Sequence, residues 1–168
     1  MPRVAGVNIV AWLVAAIAMF LVGFLFYGFL FQATWQGELL AYRNLADSPE
    51  AGAAMDMNEA LQLMSGGQDT TMNMVMGAVI PLVAAFALAL LLNMTKPRSL
   101  GSVLGIGFMA WFGFAATTLA YDPVYALAST TIFGIDLGHT LVNYLLASAI
   151  IFLIDRKAFS GAAAPAAG

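Results

Sequence analysis

Four apolar stretches, each long enough to cross a bilayer, decide most of what this chain can fold into. They run from about residue 7 to 31, 72 to 94, 100 to 121 and 134 to 154. The first three hold no charged residue, and the fourth holds only Asp136. A helix needs about 20 mainly apolar residues to cross hydrocarbon. Lipid gives backbone N–H and C=O groups no partner, so such stretches read as helices that satisfy their own backbone. The chain is 62% hydrophobic and 9% charged, against roughly 25% charged in a soluble domain. No water-filled surroundings would tolerate that composition over 168 residues.

The expected fold is therefore all-α, an integral membrane bundle of four transmembrane helices. It forms one domain over residues 1–157, and "SGAAAPAAG" closes the chain in a disordered tail placed at 158–168. Arg3 before the first stretch resembles the start of a signal peptide. The apolar run is too long for an h-region of about 7–15 residues, and no small-x-small cleavage site follows it. It reads as a retained span.

The cations set the orientation. Arg3, Lys96, Arg98, Arg156 and Lys157 fall on one side, and only Arg43 of the six falls on the other. Lys and Arg are retained on the cytoplasmic side, so both termini are expected there. Trp12, Trp35, Tyr42 and Tyr121 lie near span ends, as interfacial aromatics do. Six scattered cations give no footprint for nucleic acid. The partners expected are lipid and other membrane protein.

Residues 32–71 form a long outer loop with helical signals of its own. Trp35, Leu39, Tyr42 and Ala46 recur at helical spacing, and Asp56 and Glu59 have the D-x-x-E spacing of a capping box. Met57, Ala60, Leu61 and Met64 then form an apolar stripe before Gly66 and Gly67. Short helices lying on the outer surface would bury it. Met55, Met57, Met64, Met72, Met74 and Met76 raise the question of Cu(I), which soft thioethers can bind. However, Met57 and Met64 belong to the apolar stripe. Met72, Met74 and Met76 open a helix on which alternate residues point about 200° apart. Flexible apolar filling explains them better.

The fourth stretch carries "GIDLGHTLVNY", with the only histidine of the chain. At about 100° per residue, Asp136, His139, Thr140 and Asn143 share one helix face. Two readings follow. In one, this face lines an outward-open aqueous path, with His139 titrating, Asn143 extending the path inward, and Thr117 and Thr118 adding hydroxyls. In the other, Asp136 caps or sits in the first turn of the helix, and His139 and Asn143 make packing hydrogen bonds. The second is favoured, since no acid or base lies in the inner half of any span.

Gly134 and Gly138 on the opposite side, Gly101 and Gly105 in the third span, and Ala11 and Ala15 in the first have small-x3-small spacing. They point to close helix approach and to a homo-oligomer or membrane complex. Pro81 inside the second span implies a kink. One histidine and no cysteine leave a single chain too few ligands for a metal or haem, and no cofactor is expected. No G-x-S-x-G, H-E-x-x-H or Walker pattern is present, so the chain is read as non-enzymatic. It is expected to act through self-association or as an accessory subunit. The alternatives are a small channel or proton-linked transporter using the polar face of the fourth span, and Cu(I) handling by the loop.

"VNIVAWLVAAIAMFLVGFLFYGFLFQATW", "GFMAWFGFAATTL" and "LGHTLVNYLLASAII" resemble a small bacterial membrane family, domain of unknown function 1761. The resemblance covers the first, third and fourth spans. It implies four spans in a bacterial inner membrane and carries no activity.

The orientation has a direct test, because the chain has no cysteine of its own. Ser48→Cys should react with a membrane-impermeant maleimide on intact cells, and Gly168→Cys only after permeabilisation. The opposite pattern would invert the topology.

Overall fold

The computed structural model describes residues 1–42, 71–126 and 128–160. Four helices in it are long and apolar enough to cross a membrane: Ile9–Leu30, Val75–Thr95, Leu100–Tyr125 and Thr130–Ile154. They are called spans one to four. Both ends of the described chain lie at one end of the bundle, called the terminal end. The opposite end is called distal. Large apolar side chains face outward, among them Phe24, Val83, Met109 and Leu153. That is the surface of a protein solvated by lipid tails. The protein is a multi-pass helical membrane bundle.

A small hairpin locks the terminal end. Strand β1 (Arg3–Val4) pairs antiparallel with β2 (Val7–Asn8). The turn between them places Ala5 at φ 49° and Gly6 at φ 80°, the two positive values that a tight two-residue hairpin turn requires. Asn8 then caps span one, its Oδ1 accepting from the Val10 and Ala11 N–H groups at 3.1 and 3.4 Å. The Gly6 carbonyl accepts from Asn93 of span two at 2.9 Å, and Arg3 forms an ion pair with Asp155 at 2.6 Å. The N-terminus is thereby tied to the ends of spans two and four.

Spans one and four form the centre of the bundle, with span two against span one and span three against span four. Small residues allow the close approach. Ala11 and Ala15 are fully buried, and Ala85 and Ala89 of span two are buried opposite. Span two runs unbroken through Pro81. The Trp12 indole donates to the Leu82 carbonyl next to it at 2.8 Å. Lys96 at φ 46° and Pro97 end that helix, and Ser99 and Ser102 begin span three with a reciprocal capping box.

Several sequence expectations shift here. Span four begins at Thr130, not Gly134, because Ser129 is its cap and accepts from the Thr131 and Ile132 N–H groups at 3.2 and 3.4 Å. Asp136 lies six residues into the helix and is neither cap nor first-turn acid. Of the glycines expected to pack, Gly105 and Gly134 have no described atom within 4 Å of where a methyl group would stand, and Gly101 meets only Ser99 Oγ at 4.0 Å. Gly138 meets the Phe26 ring at 3.7 Å. The tight contact is at Gly107, where a methyl would collide with Ser148 and lie 3.2 Å from the Tyr144 carbonyl. Ala158 and Phe159, expected in the tail, belong to a short helix Arg156–Ser160, with Phe159 packed on Phe152 at 5.6 Å. Gln32–Tyr42 is helical, as the spacing of Trp35, Leu39 and Tyr42 predicts. The second loop helix and Met55, Met57 and Met64 lie outside the described residues.

Gly107→Ala should therefore lower stability by about 1–3 kcal/mol through overpacking of spans three and four. Gly105→Ala, two residues away in open space, should stay within about 0.5 kcal/mol of the parent. Apparent unfolding temperatures in detergent would separate the two. Equal effects would mean that the Gly107–Ser148 contact does not hold spans three and four together.

Candidate functional site

Among the described residues, two spans contain a π-helical turn. Span one passes through a π-helical turn at Phe26–Leu30, and span three through another at Trp111–Ala116. A π turn takes in an extra residue and turns the side chains that follow, and it often marks a functional site. Each turn here supplies one side chain to the polar face of span four. Tyr27 reaches Asp136 and His139, and the Trp111 indole donates to the Thr140 hydroxyl at 3.0 Å.

Asp136, His139 and Asn143 follow at i, i+3 and i+7, so one face of span four presents all three. The Tyr27 hydroxyl lies 2.5 Å from Asp136 Oδ1 and 3.2 Å from His139 Nδ1, and Asn143 Nδ2 lies 2.8 Å from His139 Nε2. Valence assigns the protons when Asp136 is ionised. Tyr27 has one hydrogen and gives it to the carboxylate, and the imidazole then donates from Nδ1 to the Tyr27 oxygen. Nε2 is then an acceptor for the Asn143 amide. The result is a chain of donors running from Asn143 through His139 and Tyr27 to Asp136. Phe26 and Tyr27 enclose the imidazole, with ring centroids at 5.6 and 4.9 Å. Gly23 leaves room beside it, since a methyl there would stand 3.4 Å from Nε2.

Tyr27, His139 and Asn143 of this chain line a cavity of about 720 Å³ in the distal half of the bundle. All four spans line it, through residues such as Gly23 and Tyr27, Gly77 and Pro81, Phe114 and Thr118, and His139, Thr140 and Asn143. Most of the remaining lining is apolar, including Met19, Ile80, Ala84 and Leu119. The polar face therefore borders a mainly apolar cavity. Asn143 is 5% exposed, and its Oδ1 has no hydrogen-bond partner among the described residues. Pro81 has no N–H, so it cannot donate to the Gly77 carbonyl four residues back. Both Asn143 and Gly77 line the cavity.

The sequence profile described as "Protein of unknown function (DUF1761)" matches residues 10–152. The chain belongs to this family. No curated protein and no solved structure matches it. The matched region takes in Tyr27, Asp136, His139, Asn143 and every residue that lines the cavity, while Arg3 and Asp155 lie beyond it. For this member of DUF1761, the site thus falls within the family's own part of the chain.

Sequence reasoning places Asp136, His139, Thr140 and Asn143 on one face; in the structure Asp136, His139 and Asn143 belong to one hydrogen-bonded chain through Tyr27, and Thr140 accepts from Trp111. Thr117 and Thr118 do not join it. Their hydroxyls donate back to the Gly113 and Phe114 carbonyls at 2.8 and 2.6 Å, the usual fate of threonine inside a helix. Of the two, only Thr118 lines the cavity. Pro81 lines the cavity from within a helix that continues through it. Sequence reasoning misses Tyr27. Its one signal is a phenol in the middle of a charge-free span. Among the described residues, no three His, Cys, Asp or Glu side chains converge as a metal site. Met72 and Met76 are both exposed.

Tyr27→Phe and Asp136→Asn provide a double-substitution cycle on the strongest link. Their effects on unfolding free energy in detergent should be non-additive by about 0.6–1.7 kcal/mol, the range for hydrogen bonds between membrane helices. Strict additivity would mean that the two groups do not hold each other.

Proposed function

We propose that this protein is a non-enzymatic, proton-linked transporter of a bacterial inner membrane, with the cavity as its solute site. The observation that supports this reading is the unbroken hydrogen-bonded chain Asp136–Tyr27–His139–Asn143, whose Tyr27, His139 and Asn143 line the cavity. Intramembrane acids and imidazoles are costly to bury and mark proton pathways when they do occur.

The chain has two self-consistent polarities. With Asp136 ionised, all donors point toward its carboxylate and the Asn143 carbonyl is left without a donor among the described residues. With one proton added at Asp136, the carboxyl donates to Tyr27, Tyr27 donates to His139 Nδ1, and Nε2–H requires an acceptor. The Asn143 amide turns over to supply that acceptor, and its NH2 then faces the cavity. One proton therefore decides whether the wall offers an acceptor or a donor to a bound solute. That is the differential interaction a proton-linked carrier needs.

A second reading, association with itself or with a larger complex, is favoured by one observation. Gly101, Gly105 and Gly134 present bare backbone that no side chain of the described residues covers closely. Such faces suit close helix–helix approach by another chain. The two readings are compatible, since a carrier can be assembled from several chains.

Proteoliposomes loaded with a pH-sensitive dye test the transport reading. Under an imposed potential, the purified protein should pass protons faster than empty vesicles. Asp136→Asn combined with His139→Ala should return the rate to that of empty vesicles while the protein remains inserted. A wild-type rate equal to that of empty vesicles, or a rate unchanged in the double variant, would end the reading.

A further inference from the structure

The cavity has features that identify the class of molecule it suits. It is about 720 Å³, within the roughly 300–1,000 Å³ of small-molecule sites. Its rim includes Ile80 of span two and Phe114 of span three, 61% and 72% exposed. Both belong to segments that cross the hydrocarbon, so the opening between these two spans faces lipid tails. Spans two and three meet mainly through Leu100–Ala110, nearer the terminal end, which leaves their distal parts apart. A molecule entering there comes from the membrane and must be largely apolar.

The polar wall selects the head of that molecule. Among the described residues, no Lys or Arg lines the cavity, so an anionic headgroup would find no countercharge. Asn143 Oδ1, on a buried side chain, is an acceptor with no donor among them. The Gly77 carbonyl has lost its helical donor to Pro81. A buried acceptor left unmatched is costly, and a donor group brought by a ligand relieves it. Gly77 also has no described atom within 4 Å of a methyl position, so a side chain added there would enter open space.

We propose that the cavity binds a neutral lipophilic molecule carrying a hydroxyl headgroup, taken sideways from the hydrocarbon between spans two and three. The hydroxyl donates to Asn143 Oδ1, and the tail lies among Met19, Ile80, Ala84, Phe114 and Leu119. This rests on the same cavity as the transport reading and names its solute class, but it needs no proton movement.

The test uses the full-length protein in detergent with 4-octylphenol and its methyl ether, which keeps the tail and loses the donor. Native mass spectrometry should show one saturable adduct of the phenol per chain, and the ether should bind about tenfold more weakly, the loss of one hydrogen bond to a buried acceptor. Asn143→Leu should bring the two compounds to equal affinity. Gly77→Leu, whose side chain enters empty space, should remove binding of both while the protein keeps its unfolding temperature. The proposal is overturned if the wild type shows no saturable adduct or if Gly77→Leu binds as the wild type does. Equal wild-type affinity for phenol and ether also overturns it, since water would then satisfy Asn143. Saturable binding without proton flux would leave this proposal standing and remove the transport reading. Flux without binding would do the reverse.

Discussion

The hydrogen bond from the Tyr27 hydroxyl to Asp136 fixes the distal half of this bundle. Lipid supplies no water to a carboxylate held between helices, so a protein donor must meet it. Tyr27 does so, and in doing so fixes what every later group can be. Its single hydrogen is committed to Asp136, which makes His139 the Nδ1–H tautomer and makes Asn143 a donor. The orphaned Asn143 carbonyl at the far end of the chain thus follows from a choice made at Tyr27, at the other side of the imidazole. Replacing the phenol would change the protonation logic of the whole wall as well as one contact.

The two ends of the bundle are built on opposite principles. At the terminal end, polar groups serve closure: Arg3 binds Asp155, Asn93 binds the Gly6 carbonyl, and Ser99 binds Ser102. Small residues such as Ala11, Ala15, Ala85, Ala89 and Gly107 then bring the helices into close contact. At the distal end, bulky or π-turned segments hold the spans apart, and the polar groups border a space. Glycine occurs at both ends. What differs is whether it faces another small residue, as Gly107 faces Ser148, or faces emptiness, as Gly77 does.

How much of this is legible in the sequence depends on the range of the information each feature needs. The four spans are readable because apolar run length is local. The shared face of Asp136, His139 and Asn143 is readable because helix geometry fixes angles within one segment. The start of span four is misplaced, because "ASTT" looks like loop composition until Ser129 is seen to cap it. Gly101, Gly105 and Gly134 fit a packing pattern that shows a face is narrow without saying what lies across it. Gly23 and Gly107 have no such pattern and become the close contacts, because their partners, His139 and Ser148, lie on another span. Tyr27 is hidden for a further reason. A regular α-helical phase carried past residue 26 is wrong once a π turn intervenes.

Those two π turns are costly features of the backbone, and each contributes a side chain to the polar face of span four. Each weakens regular helical bonding inside lipid, where backbone groups have no alternative partner. Each is offset by one side chain that reaches span four, Tyr27 from span one and Trp111 from span three. Two buried polar side-chain atoms of span four lack partners among the described residues. Ser148 Oγ is sealed against Gly107 and has no space for a further group. Asn143 Oδ1 belongs to a side chain that lines about 720 Å³ of cavity. The first is a consequence of close packing. The second lies where a distorted backbone, a proline-freed carbonyl and an open glycine meet, and only there does an unmatched acceptor have room to be matched.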